Sequence, residues 1–422
     1  VPHKRLETSM ILPAWAVTGV VLSVVTAILR FVLSSPLFYP AALPVPDQIP
    51  DSELRPRRPA TQKSRKCVVT GARSCVGSHI VERLILERVY NEIIATDFVA
   101  PTFSDSRVRN LQLDVRDPES CSSAFEGAEC VFHSGSIVDM RNGPIHEKRL
   151  RDFNVTGTAN VVNACLKTDV ERLVFHSTAG VVVDAATIAR GNQKERHGWS
   201  ERDLRPGGTL LSEYCTTMQL AETRVLKANG VGFLRTVALR PHIVYGRGSF
   251  SELYATCSVA VPVVAPGTNT TTVVHASNLS LWHSLADRAL ALEADEGVDG
   301  GPAQVGGSAL FVGDVGESEH MPMAVMAGLT LQCHRTGPKP VKLFPLPLAL
   351  CVAALVEIGD RLTFGMLNWP CMQFTRAAVM LSAASLPLTT AHADTLLGYS
   401  KAGGPVTSLS AAFGDLARRM MA

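Results

Sequence analysis

The sequence predicts a doubly wound parallel α/β sheet, with a transmembrane helix before it and a small C-terminal substrate-binding part after it. Three observations carry this. From Lys66 onward, short apolar runs alternate with amphipathic stretches, the pattern of parallel strands joined by crossover helices. Residues 66–80 read KCVVTGARSCVGSHI, a strand running through a turn of small residues into a helix. Residues 10–29 are twenty positions without a charge, long enough to span a bilayer.

In chain order, residues 1–9 are a short tail carrying Lys4 and Arg5. Residues 10–33 are predicted to be a membrane anchor; a signal peptide is the alternative, since two basic residues precede the run and Ser34 and Ser35 follow it. Basic residues from Arg55 to Lys66 favour a cytosolic main domain. Residues 34–65 are a proline-rich linker. Residues 66–340 form the sheet domain. Strands are expected at 67–69, 92–97, 110–113, 130–133, 172–176 and 235–240, and helices from Val76, over 155–166 and around 214–228. Residues 341–370 contain an apolar run, 343–356, interrupted by Pro345 and Pro347. At fourteen residues it is short for a span, so it reads as an interfacial, re-entrant or core helix. Residues 371–422 are expected to be helical, with a last helix over 412–422.

Composition narrows the function class. Hydrophobic residues make up 46% of the chain and charged residues only 18%, which suits membrane contact. A net charge of +2 gives no electrostatic footprint for nucleic acid. The ten cysteines are scattered without a CxxC pair, so neither a zinc site nor a disulfide framework is expected.

The turn after the first strand is built to lay a pyrophosphate on a helix N-terminus. Gly71 and Gly77 are glycines, but Ala72 and Ser74 stand where glycines are usual in such turns. Ser74 is expected to impair the turn, through its Cβ or through a φ that Ser disfavours. Asp97 compensates: it ends the second strand twenty residues beyond Gly77, where a carboxylate accepts hydrogen bonds from a ribose 2′-OH. A carboxylate there repels a 2′-phosphate, so NAD is expected over NADP, with Arg73 as a counter-signal.

From residue 66 to the C-terminus the chain resembles the extended short-chain dehydrogenase/reductase family, a Rossmann-like fold. Within it, the chain is similar to the 3β-hydroxysteroid dehydrogenase and sterol-4α-carboxylate 3-dehydrogenase branch. The resemblance runs through Thr70-Gly71-Ala72-Arg73-Ser74-Cys75-Val76-Gly77, Leu113-Asp114-Val115-Arg116-Asp117 and Val131-Phe132-His133-Ser134-Gly135-Ser136. It continues through Asn154-Val155-Thr156-Gly157-Thr158, Phe175-His176-Ser177-Thr178-Ala179, Leu239-Arg240-Pro241 and Leu396-Leu397-Gly398-Tyr399. It implies NAD contacts from Gly71, Ser74, Val76, Gly77 and Asp97, with Asp114 and Val115 beside the adenine. Ser134, Gly135, Ser136, Asn154, Tyr214 and Pro241 would line the rest of the cofactor.

The family transfers hydride from a carbinol carbon with a Tyr as general acid/base, and the resemblance puts Tyr214 there. It gives Thr178, or alternatively Ser177, the partner hydroxyl. The family's Lys four residues after the Tyr is absent, and Met218 occupies its place. A phenol of ordinary pKa about 10 is a weak base at pH 7, so the expectation divides. One reading is a membrane-anchored NAD-dependent dehydrogenase that oxidises a sterol or steroid 3β-hydroxyl on the endoplasmic reticulum membrane, with decarboxylation where a 4α-carboxylate is present. The others are a catalytically impaired NAD-binding pseudoenzyme and a sugar-nucleotide epimerase or dehydratase. The expected partners are the sterol and the lipid bilayer, and a homodimer is compatible with the resemblance.

Overall fold

A computed structural model describes residues 65–184, 188, 198–203, 210–248, 262–264, 269–296, 304–314, 320–322, 342–365 and 374–403. The expected anchor, all but the last residue of the linker, and the helix over 412–422 lie outside the described residues. Among the described residues no helix is long and apolar enough to cross a membrane.

Seven parallel strands form the main sheet: β1 Lys66–Thr70, β2 Glu92–Asp97, β3 Val108–Gln112, β4 Cys130–His133, β5 Arg172–His176, β6 Arg235–Arg240 and β10 Ala309–Phe311. Their order is β10-β6-β5-β4-β1-β2-β3. Each adjacent pair is parallel. Chain direction across the sheet reverses between β1 and β4, which opens a crevice at their carboxyl ends. The inner strands β1, β4 and β5 are mostly apolar and buried because both faces are covered, whereas the edge strand β3 has no buried residue.

One face packs against α2 (Pro118–Phe125), α4 (Thr158–Lys167) and α5 (Glu213–Lys227), around a core that includes Val131, Phe175 and Met218. The other packs against α1 (Cys75–Glu87) and α6 (Ala276–Glu296), around Ile80, Phe132 and Trp282. The 21-residue α6 brings Trp282 against Tyr399, the rings stacked at 4.1 Å. That contact holds the end of α9 (Ala391–Leu397), which Gly398 terminates in the left-handed conformation.

Two expectations shift in register. The third strand begins at Val108 and ends at Gln112, since Leu113 already turns to donate its N–H to the Asp97 carbonyl. The helix expected from Val155 starts earlier, with α3 (Pro144–Leu150) passing through a wide π turn over Arg151–Gly157 into α4. Three short strands, β11 (His320–Pro322), β9 (Thr270–His275) and β7 (Ile243–Tyr245), form a second sheet. The apolar run at 343–356 splits: β12 (Lys342–Phe344) pairs with β8 (Pro262–Val264), and α7 (Leu346–Leu362) follows. Pro345 and Pro347 fall at the helix N-terminus, where a missing N–H costs no hydrogen bond. Next comes α8 (Arg376–Ala383), which packs its Val379 with Ala349 and Ala353 of α7.

Candidate active site

The crevice is built where the turn after β1 meets the loop after β4. Gly71 has φ +69°, and a Cβ there would lie 2.6 Å from the Gly135 Cα. A Cβ on Gly77 would lie 2.1 Å from the Gly71 carbonyl oxygen. Both positions therefore demand glycine, because backbone approaches backbone. Val76 is buried beneath the turn.

Ser74 overturns the expected impairment. Its φ is −66°, ordinary for any L residue, and it is the N-cap of α1: its Oγ accepts from the Gly77 N–H at 3.0 Å. A hydroxyl at that position satisfies one of the donors that a helix start leaves open. Ala72 is buried and donates its N–H to the Thr96 carbonyl, so the turn is intact with one fewer glycine at each of these sites.

Asp97 stands at the mouth. Its Oδ2 accepts from the Arg73 N–H at 2.9 Å and its Oδ1 from the Phe98 N–H at 2.7 Å. The carboxylate is thereby fixed at the carboxyl end of β2, with lone pairs still open for a diol. Asp114 ends up with less freedom than the resemblance implies. Arg116 binds both carboxylate oxygens, at 2.6 Å for the closest contact, and its hydrogen bond holds the Asp114 pKa below the ordinary range. The Arg116 guanidinium in turn lies 4.1 Å above the Phe153 ring. Val115 is a core residue whose carbonyl accepts from Asn160.

On the β4 side, the Ser134 hydroxyl donates to the Thr70 carbonyl at 2.7 Å, and Ser136 donates its N–H back to Ser134. Asn154 is fully buried and acts on this loop: it accepts from the Ile137 N–H, donates to the Ile137 carbonyl and reaches Thr217. Its side chain is thus spent on holding the loop rather than free to hold a cofactor. The π turn sets that position. His133, a residue that the motif contained but to which no role was assigned, bridges Thr70 at 2.7 Å and Thr158 at 3.0 Å. Burial pushes its pKa down to about 4, so it bridges as a neutral imidazole.

The two candidate hydroxyls separate cleanly. Ser177 is buried and donates to Glu222 at 2.6 Å, and Glu222 is ion-paired with Arg240. That network joins β5, α5 and β6, so Ser177 is structural and drops out as the alternative to Thr178. Thr178 caps the short 3-10 turn Ala179–Val182, accepting from Gly180 at 3.2 Å, and its hydroxyl acts to lower the Tyr214 phenol pKa. Pro241 positions the same turn through its carbonyl, which accepts from the Ala179 N–H at 2.8 Å.

Tyr214 opens α5, whose N-cap Ser212 accepts from the Cys215 N–H. Burial drives the phenol pKa above its ordinary value, against the Thr178 hydrogen bond, which lowers it. Met218, one turn later, is 0% exposed in the core that Tyr214 packs against. The thioether supplies apolar packing and no charge.

A family profile described as the 3-beta hydroxysteroid dehydrogenase/isomerase family matches residues 68–327. The chain belongs to that family. Among curated relatives, the Arabidopsis thaliana 3beta-hydroxysteroid-dehydrogenase/decarboxylase isoform 2 is 26% identical over 81% of this chain and 60% of its own length. The mouse short-chain dehydrogenase/reductase family 42E member 1 is 31% identical over 58% of this chain and 61% of its own length. The chain thus spans about three-fifths of these two relatives. A Streptomyces venezuelae dTDP-glucose 4,6-dehydratase solved with NAD has a TM-score of 0.58 at 18% identity, covering 84% of this chain and 96% of that one. That likeness establishes the Rossmann-like fold.

The residues present fit NAD. A glycine cradle that any Cβ would fill, a helix N-terminus beneath it and an acid at the end of β2 are the features a dinucleotide requires.

Proposed function

We propose that this member of the 3-beta hydroxysteroid dehydrogenase family is an NAD-dependent oxidoreductase acting on the 3β-hydroxyl of a membrane-dissolved sterol or steroid. The observation that carries it is Tyr214 in the first turn of α5, with Thr178 at the end of β5 near enough to lower its phenol pKa, in a fold whose cradle accepts only glycine at 71 and 77.

NAD, when bound, supplies the hydride acceptor. Gly71, Val76 and Gly77 would carry its pyrophosphate, Asp97 its adenosine ribose, and Ser134, Gly135, Ser136 and Pro241 the inner wall. Because the Thr178 oxygen accepts from Gly180, its O–H is directed away from that amide and can donate to the Tyr214 oxygen or a substrate oxygen. In its phenolate form Tyr214 would take the proton of the substrate hydroxyl, while the carbinol carbon gives up its hydride to the acceptor that NAD would supply. A 4α-carboxylate beside the new ketone makes a β-keto acid, which loses carbon dioxide without another catalytic group. The relatives named as dehydrogenase/decarboxylases support that substrate class, and the apolar composition with the uncharged stretch at 10–29 supports a membrane location such as the endoplasmic reticulum.

A second reading rests on Met218. Without a cation the phenol stays protonated, and the protein would be an NAD-binding pseudoenzyme of the same fold. The test is NAD reduction with 3β-hydroxysterols in detergent, alongside calorimetric NAD titration. Turnover supports the first reading, binding without turnover leaves the second, and absence of binding refutes both.

A further inference from the structure

The pyrophosphate cradle offers less positive charge than a dinucleotide asks for. Each phosphate of the ligand carries a negative charge. The N-terminus of α1 answers with about half a positive charge and a few backbone N–H donors. One of those donors is already taken, since the Gly77 N–H goes to the Ser74 hydroxyl at 3.0 Å. Met218 adds no cation from α5.

A loop from the second sheet brings one. β7 ends at Tyr245, and Gly246-Arg247-Gly248 follows. Both glycines have positive φ, +126° at Gly246 and +75° at Gly248, a path that L side chains rarely follow. A Cβ on Gly246 would lie 2.9 Å from the His275 Nε2, so this end of the loop is pressed against the end of β9. At the other end, a Cβ on Gly248 would sit 3.7 Å from the Cys75 Cα and 4.0 Å from the Cys75 nitrogen. Cys75 is the first residue of α1. The loop thus passes within a side chain's width of the helix start that a pyrophosphate would approach.

Arg247 stands between the two glycines and forms an ion pair with Glu82 of α1. Glu82 lies seven residues beyond Cys75, about 10 Å along the axis. The pairing therefore draws the guanidinium along α1, away from the helix start that its own backbone adjoins. The two side chains are 46% and 41% exposed, and a pair so open to water gives way readily to salt and to competing anions. A guanidinium presents its donors in a fork that matches phosphate oxygens.

We propose that Arg247 is a further cofactor-binding residue, exchanging Glu82 for the NAD pyrophosphate, so that Glu82 and the cofactor compete for one guanidinium. The proposal rests on the NAD reading of the crevice and adds to it a side chain from the second sheet. Because β7 pairs with β9, the exchange would also tie that sheet to the occupied cradle. Competition gives the two partners of the ion pair opposite effects on affinity. A pair that merely propped the loop would give them the same effect.

The test is calorimetric titration of NAD and of ADP-ribose, at low and at high salt, into the full chain in detergent. The native protein is compared with Arg247→Met, Arg247→Lys and Glu82→Gln. Arg247→Met should weaken both ligands by roughly tenfold or more, the loss of a charge-assisted contact, and should flatten the salt dependence. Arg247→Lys should fall between it and the native chain, and Glu82→Gln should tighten both ligands by about threefold. Equal affinities for the native chain and Arg247→Met overturn the proposal and leave the NAD-dependent function standing. A loss in Glu82→Gln as large as that in Arg247→Met does the same. A native chain that binds neither ligand overturns the NAD reading as well. A thermal melt of each variant establishes that it is folded; Arg247→Lys and Glu82→Gln, which keep the side-chain size, decide the matter if Arg247→Met does not fold.

Discussion

Replacing Met218 with Lys asks whether the missing cation alone limits this site. Position 218 follows Tyr214 by four residues on α5, so the two side chains lie on the same helix face. In the native chain, burial holds the phenol pKa above 10, which leaves less than about 0.1% phenolate at pH 7. An ammonium beside the phenol favours the ionised form, and general-base assistance is worth roughly 10²–10⁴-fold. The expected result for Met218→Lys is therefore a rise in kcat/KM for sterol oxidation of about 10²-fold or more at pH 7. The rising limb of the pH–rate profile should also move toward neutrality. The substitution has a cost, because position 218 is 0% exposed. A Lys whose pKa is depressed by about three units there loses about 4 kcal/mol of stability, offset to the extent that it ends on the phenol oxygen. The assay is NAD reduction by absorbance from pH 6 to 10, with NAD titration and a thermal melt to establish that the variant is folded and loaded. Native and variant proteins with equal kcat/KM, both folded and both binding NAD, would refute the reasoning.

Four other outcomes follow from the geometry. Gly71→Ala should weaken NAD binding at least 100-fold by calorimetry, since the added Cβ meets the Gly135 backbone at 2.6 Å; unchanged affinity would disprove the cradle. Ser74→Ala should cost about 1 kcal/mol through the lost cap while Ser74→Gly costs only a few tenths; a tenfold gain in NAD affinity for Ser74→Gly would reinstate the idea that Ser74 damages the turn. Ser177→Ala should lower stability by about 1–3 kcal/mol, because a charged, buried Glu222 oxygen loses one of its two donors, and leave any turnover within a few-fold, whereas Thr178→Val should reduce it far more. The hydrogen bond to Asp139 raises the His146 pKa, so its stabilisation is complete below the unfolded value of about 6.5 and is lost as pH rises through the folded value. The gap in Tm between the native chain and His146→Asn should be widest near pH 5.5 and should narrow toward pH 8.5; a gap that widens with pH would contradict a protonated His146.

Much of this was legible in one dimension because it depends on neighbours in sequence. The strand–turn–helix at 66–80, the acid at the end of β2 and the helix around 214–228 are local patterns. Their periodicity and spacing follow directly from the geometry of strands and helices. The family resemblance, carried by short contiguous motifs, supplied Tyr214, the missing Lys at 218, and Thr178.

What the tertiary structure decided involves partners far apart in the chain. Ser74 looked like damage until the backbone showed a φ of −66° and a capping bond to Gly77, since a residue name does not state its dihedral angle. Ser177 and Thr178 are adjacent in sequence, yet Glu222 takes one and Tyr214 the other. Asn154 became a clamp for the Ile137 backbone. His146 meets Asp360 across 214 positions, a pairing without a local signal, and it turns the acids of α7 inward. The sequence by itself determined a doubly wound dinucleotide fold, a matter of periodicity and residue type, and its resemblance to the family marked a phenol at 214 with Met218 where a lysine is usual. Which hydroxyl faces the phenol, whether the glycine turn survives Ser74, and which side of α7 meets the outside were decided only by packing, because each depends on where side chains far apart in sequence come together.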